Sequence, residues 1–390
     1  MKTRTKYAPL MVVAFAAMLF TPCCGVHEGS SADREGQPAV GEVARYLAGM
    51  PQTRVNKLSE LEKSPAWKNH AAYFDALYAT MEKTRIPAIR GFIAKELGDV
   101  SGDTEKLLYL FSGPDFFYAD LFFPNAKQMV LFGLERVGQV PPMTDLDPAR
   151  QQAFFDVLRQ SLVWMYDWGY FVTTFMGEHF SKVMELRGVV PLVLFFMARA
   201  ECDVTAVERV TVDQKGNVIS AANDPLDVDA PGDLYVSGVR ITYKKNGEKE
   251  TRTLYYWSHD LSDGHLAKTP HFVAYMDSLK FDTAYFKAAS YLPYWMNYCR
   301  NLVLNKSKYI FQSDSGVPYK YFTGQEWTTR MYGNYMGILG VFPAWAYQTD
   351  LAQRYATDKT VKPVPFGICY GFRLHPQGTN LMVAKRSAAR

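Results

Sequence analysis

The chain is punctuated by short apolar runs that each end in a small residue followed by an acid. "YLFSGPD" ends at Asp115, "VLFGLE" at Glu135, "YYWSHD" at Asp260, and "IFQSDSG" passes through Asp314. Short continuous apolar runs bounded by turn residues read as strands buried on both faces. Segments of helical period lie between them, so the pattern selects a fold in which helices cover a central sheet.

Helix signals are local and specific. Ser64-Pro65 and Asp147-Pro148 are N-cap and first-position pairs, because Pro needs no N–H partner in a first turn and Ser or Asp accepts from the exposed backbone. Trp67, Ala71, Phe74, Leu77 and Met81 continue the first helix, Pro87 interrupts it, and Gly98 stops its successor. Gly169 breaks the second. Two strands at 107–111 and 128–132, joined by a short crossover, form a βαβ unit. Residues 189–198 are a buried helix or strand. Strands at 207–212, 235–243 and 251–257 flank Lys215-Gly216-Asn217 and Asn246-Gly247 turns, the latter a hairpin signal. A helix opens at Asp282 with Tyr285, Ala288, Ala289 and Leu292 in register. Then follow a strand at 308–312, a helix at 344–355 and a strand at 366–370. The fold class expected is a mixed α/β (or α+β) sandwich: a central sheet flanked by helices, with an antiparallel hairpin insertion near 205–258.

The N-terminus has the order of a bacterial-style secretory leader. Lys2, Arg4 and Lys6 precede an apolar run at 10–20, then Thr21-Pro22-Cys23-Cys24-Gly25. The run is about half of the roughly 20 residues a spanning helix needs. Residues 1–25 are therefore assigned as a signal peptide, 26–45 as a flexible tether of polar, small residues, and 46–390 as one large domain. Cleavage and lipid attachment at the cysteine pair are two outcomes of such a leader. The expected location is the periplasm or cell envelope, as a secreted or membrane-anchored lipoprotein form.

Net charge is +4 with no block of like charges, which argues against a nucleic-acid partner, since phosphate binding needs a clustered basic surface. No Gly-rich phosphate loop or dinucleotide fingerprint is present, and no cofactor is expected. Cys202, Cys299 and Cys369 remain after the leader, so one disulfide with a free thiol, or three buried thiols, are the arrangements to expect.

In open α/β sheets, ligands bind beyond the carboxyl ends of the strands. Asp115, Glu135, Asp260 and Asp314 would face one crevice if their strands are parallel neighbours, although Ser, Gly and Asp also suit ordinary turns. Asp115, His259 and Asp314 are the acid and base candidates, and Ser315 with His259 is a further nucleophile pair. His259, His265 and His271, spaced by six, fit neither a helix face nor a strand face, and no metal site is assigned. The 25 Phe, 25 Tyr and 7 Trp make the chain aromatic-rich. Within 314–335, Tyr319, Trp327 and Arg330 read as a loop that stacks on a small molecule or glycan, joined by Ser112 and Ser315 from the strand ends. The functional expectation is an exported, non-catalytic ligand-binding or interaction protein. The alternative is a hydrolase of an envelope polymer or small ester that uses the strand-end acids and His259. Both readings expect Asp115→Ala and Asp314→Ala to spare the fold and weaken ligand binding.

Overall fold

The computed structural model describes residues 38–180, 182–222 and 235–387. The leader, Cys23, Cys24 and the first part of the tether lie outside the described residues.

The strands are β1 Lys106–Tyr109, β2 Gln128–Gly133, β3 Cys202–Val212, β4 Val218–Ser220, β5 Ser237–Lys245, β6 Arg252–Ser258, β7 Thr283–Phe286, β8 Tyr309–Gln312, β9 Trp327–Gly333 and β10 Asn380–Arg386. They form one mixed sheet in the order β4-β3-β5-β6-β2-β1-β7-β8-β10-β9. The central block β6-β2-β1-β7-β8 is wholly parallel, and both flanks are antiparallel. The expected α/β class holds, and the antiparallel insertion is β3, β4 and β5 together with the turn into β6.

Period-two alternation divides each strand between two cores. Leu107 and Tyr109 of β1, with Tyr309 and Phe311 of β8, face helices Val40–Leu47, Pro65–Met81, Phe116–Phe122, Pro148–Trp168 and Val190–Arg199. Leu108 and Ile310 face the opposite layer, where helices Pro270–Ser278 and Asn297–Lys306 bring Phe272, Met276, Leu302 and Val303. The sheet is thus covered on both faces. No described helix is long and apolar enough to cross a membrane.

Ser64 accepts from Trp67 N at 3.2 Å and Asp147 from Arg150 N at 2.9 Å, the two caps read from the sequence. Gly169 ends the second helix at φ +76°.

Four expectations need correction. Helix Val40–Leu47 starts inside the segment assigned as tether and buries Val43, Ala44, Tyr46 and Leu47. Pro87 does not interrupt a helix: the break falls at 82–84, and Pro87 lies in the first turn of Arg85–Glu96, where it forfeits no helical bond. The helix expected from Asp282 is instead β7, held between β1 and β8, and the Asp282 carboxylate accepts from Glu105 N and Lys106 N at the start of β1. The strand expected at 366–370 is a loop running into helix Cys369–Leu374.

Candidate functional site

Taken in chain order, the parallel strands β1, β2, β6, β7 and β8 lie across the sheet as third, second, first, fourth and fifth. The winding reverses between β1 and β7. At such a reversal the loops leave in opposite directions and open a crevice over the strands' carboxyl ends. Here that place is filled from within.

Asp115, directly beyond β1, is the N-cap of helix Phe116–Phe122: its Oδ1 accepts from Tyr118 N at 3.2 Å. Its Oδ2 accepts from Tyr109 Oη at 2.7 Å and from Lys287 Nζ at 2.5 Å. Lys287 follows β7 and lies 3.8 Å above the Tyr118 ring. Both side chains of the ion pair are only 1% exposed. Burial pushes the Lys287 amine below its ordinary pKa, and Asp115 works against that shift. Tyr109, Ser112, Asp115, Tyr170, Phe171 and Lys287 line a cavity of about 20 Å³, roughly the room one water needs.

The end of β8 is built differently. Asp314 is 4% exposed. Its Oδ2 accepts from Tyr291 Oη at 2.7 Å, and its N donates to Asn380 Oδ1 at 2.8 Å. Burial raises the carboxyl to about 6, opposed by the Tyr291 and Asn380 hydrogen bonds. Gln348 ties the next segment down, donating from Nε2 to Asp314 O at 2.8 Å while its Oε1 accepts from Tyr319 N at 2.7 Å.

The sequence candidates divide between these centres. Ser112 and Asp115 line one cavity with Lys287, and the Ser112 hydroxyl donates to Gly113 O and Phe132 O. Asp314 and Tyr319 share a second small cavity, and Ser315 Oγ accepts from Ala289 N beside it. The two centres are neighbours, because Ser313 Oγ donates to Lys287 O. Glu135 packs its carboxylate against Gly113, and Tyr256 Oη donates to its backbone carbonyl. Asp260 accepts from Ser262 N, as turn chemistry expects.

His259 stands apart. Its ring contacts Thr269 Oγ1 at 3.2 Å and the Phe272 ring at 4.3 Å, and burial first, then the neighbouring His265, lowers it to about 3. It hangs from β6, two strand positions from β1 and four from β8, or about 10 and 19 Å at the usual spacing. No shared centre with Asp115 or Ser315 forms. Asp263 is engaged by Asn297 N and Tyr298 N, at the start of helix Asn297–Lys306. Among the described residues no group of three His, Cys, Asp or Glu is placed to hold a metal ion.

Trp327 and Arg330 do not join the crevice. Residues 327–333 are the edge strand β9 and not a loop. Trp327 is buried against Phe322 and the Arg386 guanidinium, and Arg330 pairs with Asp99 at 2.8 Å.

Exposed aromatic rings lie on neighbouring segments, one of them the start of the helix expected at 344–355, which begins only at Thr349. Residues 334–348 run as a strap above the strand ends, where Phe342 packs on Tyr291 at 5.0 Å. Trp345 lies 5.7 Å from Tyr294, whose hydroxyl donates to Ala346 O. Trp345 is 53% exposed, Trp295 52% and Tyr347 47%.

Compared with known proteins, the chain shows no similarity that assigns a role: no family model, curated protein or solved structure matches it.

Proposed function

We propose that this is an exported, non-catalytic protein of the cell envelope that binds a glycan through the exposed aromatic rings of Trp295, Trp345 and Tyr347. The observation that carries this reading is the half-exposure of two tryptophans at the carboxyl end of the sheet. Indole faces left to water cost free energy, and apolar sugar faces are the flat surfaces that cover them while hydroxyls remain hydrated. Export rests on the leader at 1–25, released by cleavage or held by a lipid on Cys23 or Cys24. The hydrolase alternative asks for Asp115, His259 and Asp314 around one reacting atom. The separation of His259 by two strands, and the occupation of Asp115 by Lys287, favour binding.

The test is co-sedimentation of the mature chain with purified peptidoglycan, alongside affinity electrophoresis in soluble polysaccharides. Retention that drops at least tenfold in Trp295→Ala and Trp345→Ala, with unchanged melting temperature, supports the reading. Retention indifferent to both substitutions, or none on any polymer, overturns it. The mass of the mature N-terminus decides between cleavage and lipidation.

A further inference from the structure

Glycan stacking accounts for exposed rings and leaves exposed aliphatic groups unexplained. The strap at 334–348 carries both. Val341 is 71% exposed and Met336 47%. From Met331 to Thr349 the sequence holds no Asp, Glu, Lys, Arg or His. An uncharged apolar surface held in water costs free energy, and such surfaces mark places that something apolar covers.

The strap is not a loose arm. Gln348 N donates to Tyr335 Oη at 3.0 Å, the Tyr335 and Tyr347 rings lie 5.6 Å apart, and Asn334 N donates to Thr379 O at 2.9 Å. Ile338, Leu339 and Phe342 pack on a small cluster of Tyr170, Tyr291, Ala346 and Tyr370. Phe342 N donates to Leu339 O at 2.9 Å, so the chain turns at Gly340-Val341. A loop with joined ends and its own packing is a compact Ω-type unit. It presents Val341 at its turn already ordered, so that covering this side chain costs little further entropy.

The size and chemistry of the surface select its occupant. A stable interface with a second copy of the chain takes about 20–30 residues a side. The strap exposes four large apolar residues, Met336, Val341, Trp345 and Tyr347. A bilayer asks for less: aliphatic groups enter the acyl boundary, while Trp and Tyr settle at headgroup level. The strap supplies both kinds and no charge that entry would strip of water. The tether adds a second reason. Residues 25–39, between Cys24 and helix Val40–Leu47, can span at most about 50 Å. That is close to the diameter of a domain of about 350 residues. With a lipid on Cys23 or Cys24, the domain stays within its own diameter of the membrane.

We propose that the strap is a membrane-docking loop, with Val341 and Met336 entering the surface of a phospholipid bilayer and Trp345 and Tyr347 resting at its headgroups. The inference rests on the envelope location proposed above and not on the glycan. Because it shares two rings with the glycan reading, the experiment varies the aliphatic residues and uses lipid that carries no sugar.

The experiment is flotation of the mature chain, with Cys23 and Cys24 replaced by Ser so that no acyl anchor contributes, on vesicles of phosphatidylethanolamine and phosphatidylglycerol in equal parts. The chain is expected to float with the vesicles, and its partitioning to fall by about tenfold or more in Val341→Asp and in Met336→Asp with unchanged melting temperature. Salt should not release it, because the loop carries no charge to screen. Absence of flotation, release by salt, or equal partitioning of both variants overturns the proposal. So does a dimer in sedimentation velocity that Val341→Asp dissociates while the vesicles stay bare. A second measurement places no charge in the loop: an environment-sensitive fluorophore on Val341→Cys should shift to the blue when vesicles are added. The same label on Val55→Cys, 97% exposed before helix Lys57–Leu61, should not. Equal responses at the two positions overturn the docking loop. Retention on peptidoglycan without vesicle binding would sink this proposal and leave the glycan reading standing, and vesicle binding without retention on any polymer would do the reverse.

Discussion

Lys287 and Asp115 meet at the point where the sheet's winding reverses, each supplied by a different strand and neither open to water. The pair closes the crevice that this topology opens. Removing one partner leaves an uncompensated buried charge, which typically costs about 3–5 kcal/mol. Asp115→Ala also removes the cap on Phe116–Phe122. It is therefore expected to lower the denaturant midpoint sharply, contrary to the sequence expectation that it spares the fold. Lys287→Met should do the same, and the double variant Asp115→Asn/Lys287→Met should recover part of the loss. Equal midpoints for wild type and Asp115→Ala would show that the pair contributes nothing.

What was legible in the sequence is what local chemistry decides. Ser64 and Asp147 cap helices wherever the rest of the chain goes, and Asn246-Gly247 closes its hairpin between β5 and β6 by turn geometry alone. β1, β2 and β8 have apolar runs long enough to stand out. β7 does not: four residues in the middle of a parallel sheet carry no period of their own, and the spacing of Tyr285, Ala288, Ala289 and Leu292 imitates a helix. Pairing on both sides overrides that local pattern. The misreading hid Lys287, which gains meaning only as a residue at a strand end. Trp295 and Trp345 were missed for another reason: one sequence does not say which of many aromatic residues stay exposed. The acid at each break was visible, but its partner, a lysine across β7 or a tyrosine after it, is a long-range matter.

The cysteines give a chemical check. Cys202, Cys299 and Cys369 are all free and buried, resolving the two arrangements left open by their number in favour of three thiols. Burial pushes Cys202 up to about 12 and raises the other two as well. Thiolate is the reactive form. With Cys23 and Cys24 replaced by Ser, a thiol-specific chromogenic disulfide should find no reactive group in the native chain and all three in denaturant, and reductant should leave the melting temperature unchanged. Rapid native labelling would contradict the burial.

Gly333 ends β9 at φ +81°, and a Cβ there would lie 1.9 Å from Thr379 O. The left-handed backbone alone costs a non-glycine residue about 1–2 kcal/mol, and the clash adds to it. Gly333→Ala should therefore lower the melting temperature by several degrees and loosen the β9–β10 edge, read as faster amide exchange at Tyr332 and Leu381. Gly91→Ala, in open space, is the control and should not destabilise the chain.

Three buried groups contribute to acid stability with opposite signs. His70, bonded through Nε2 to Leu47 O, and His259 are both lowered by burial to about 3 from 6.5. Their contribution is present above pH 6.5 and is lost as pH falls toward 3. Asp314 runs the other way: raised from 3.8 to about 6, it contributes below 3.8 and loses that contribution as pH rises through 6. At pH 5 the unfolded chain binds a proton at each histidine and little at Asp314, whereas the folded chain binds one only at Asp314. The unfolded state then holds about one proton more, so stability rises with pH at about 1.4 kcal/mol per unit from these groups. Asp314→Asn removes the opposing member and should about double that slope, and His259→Gln should bring it near zero. Denaturant midpoints between pH 4.5 and 5.5 measure both. A slope unchanged by Asp314→Asn would mean that Asp314 ionises normally in the fold.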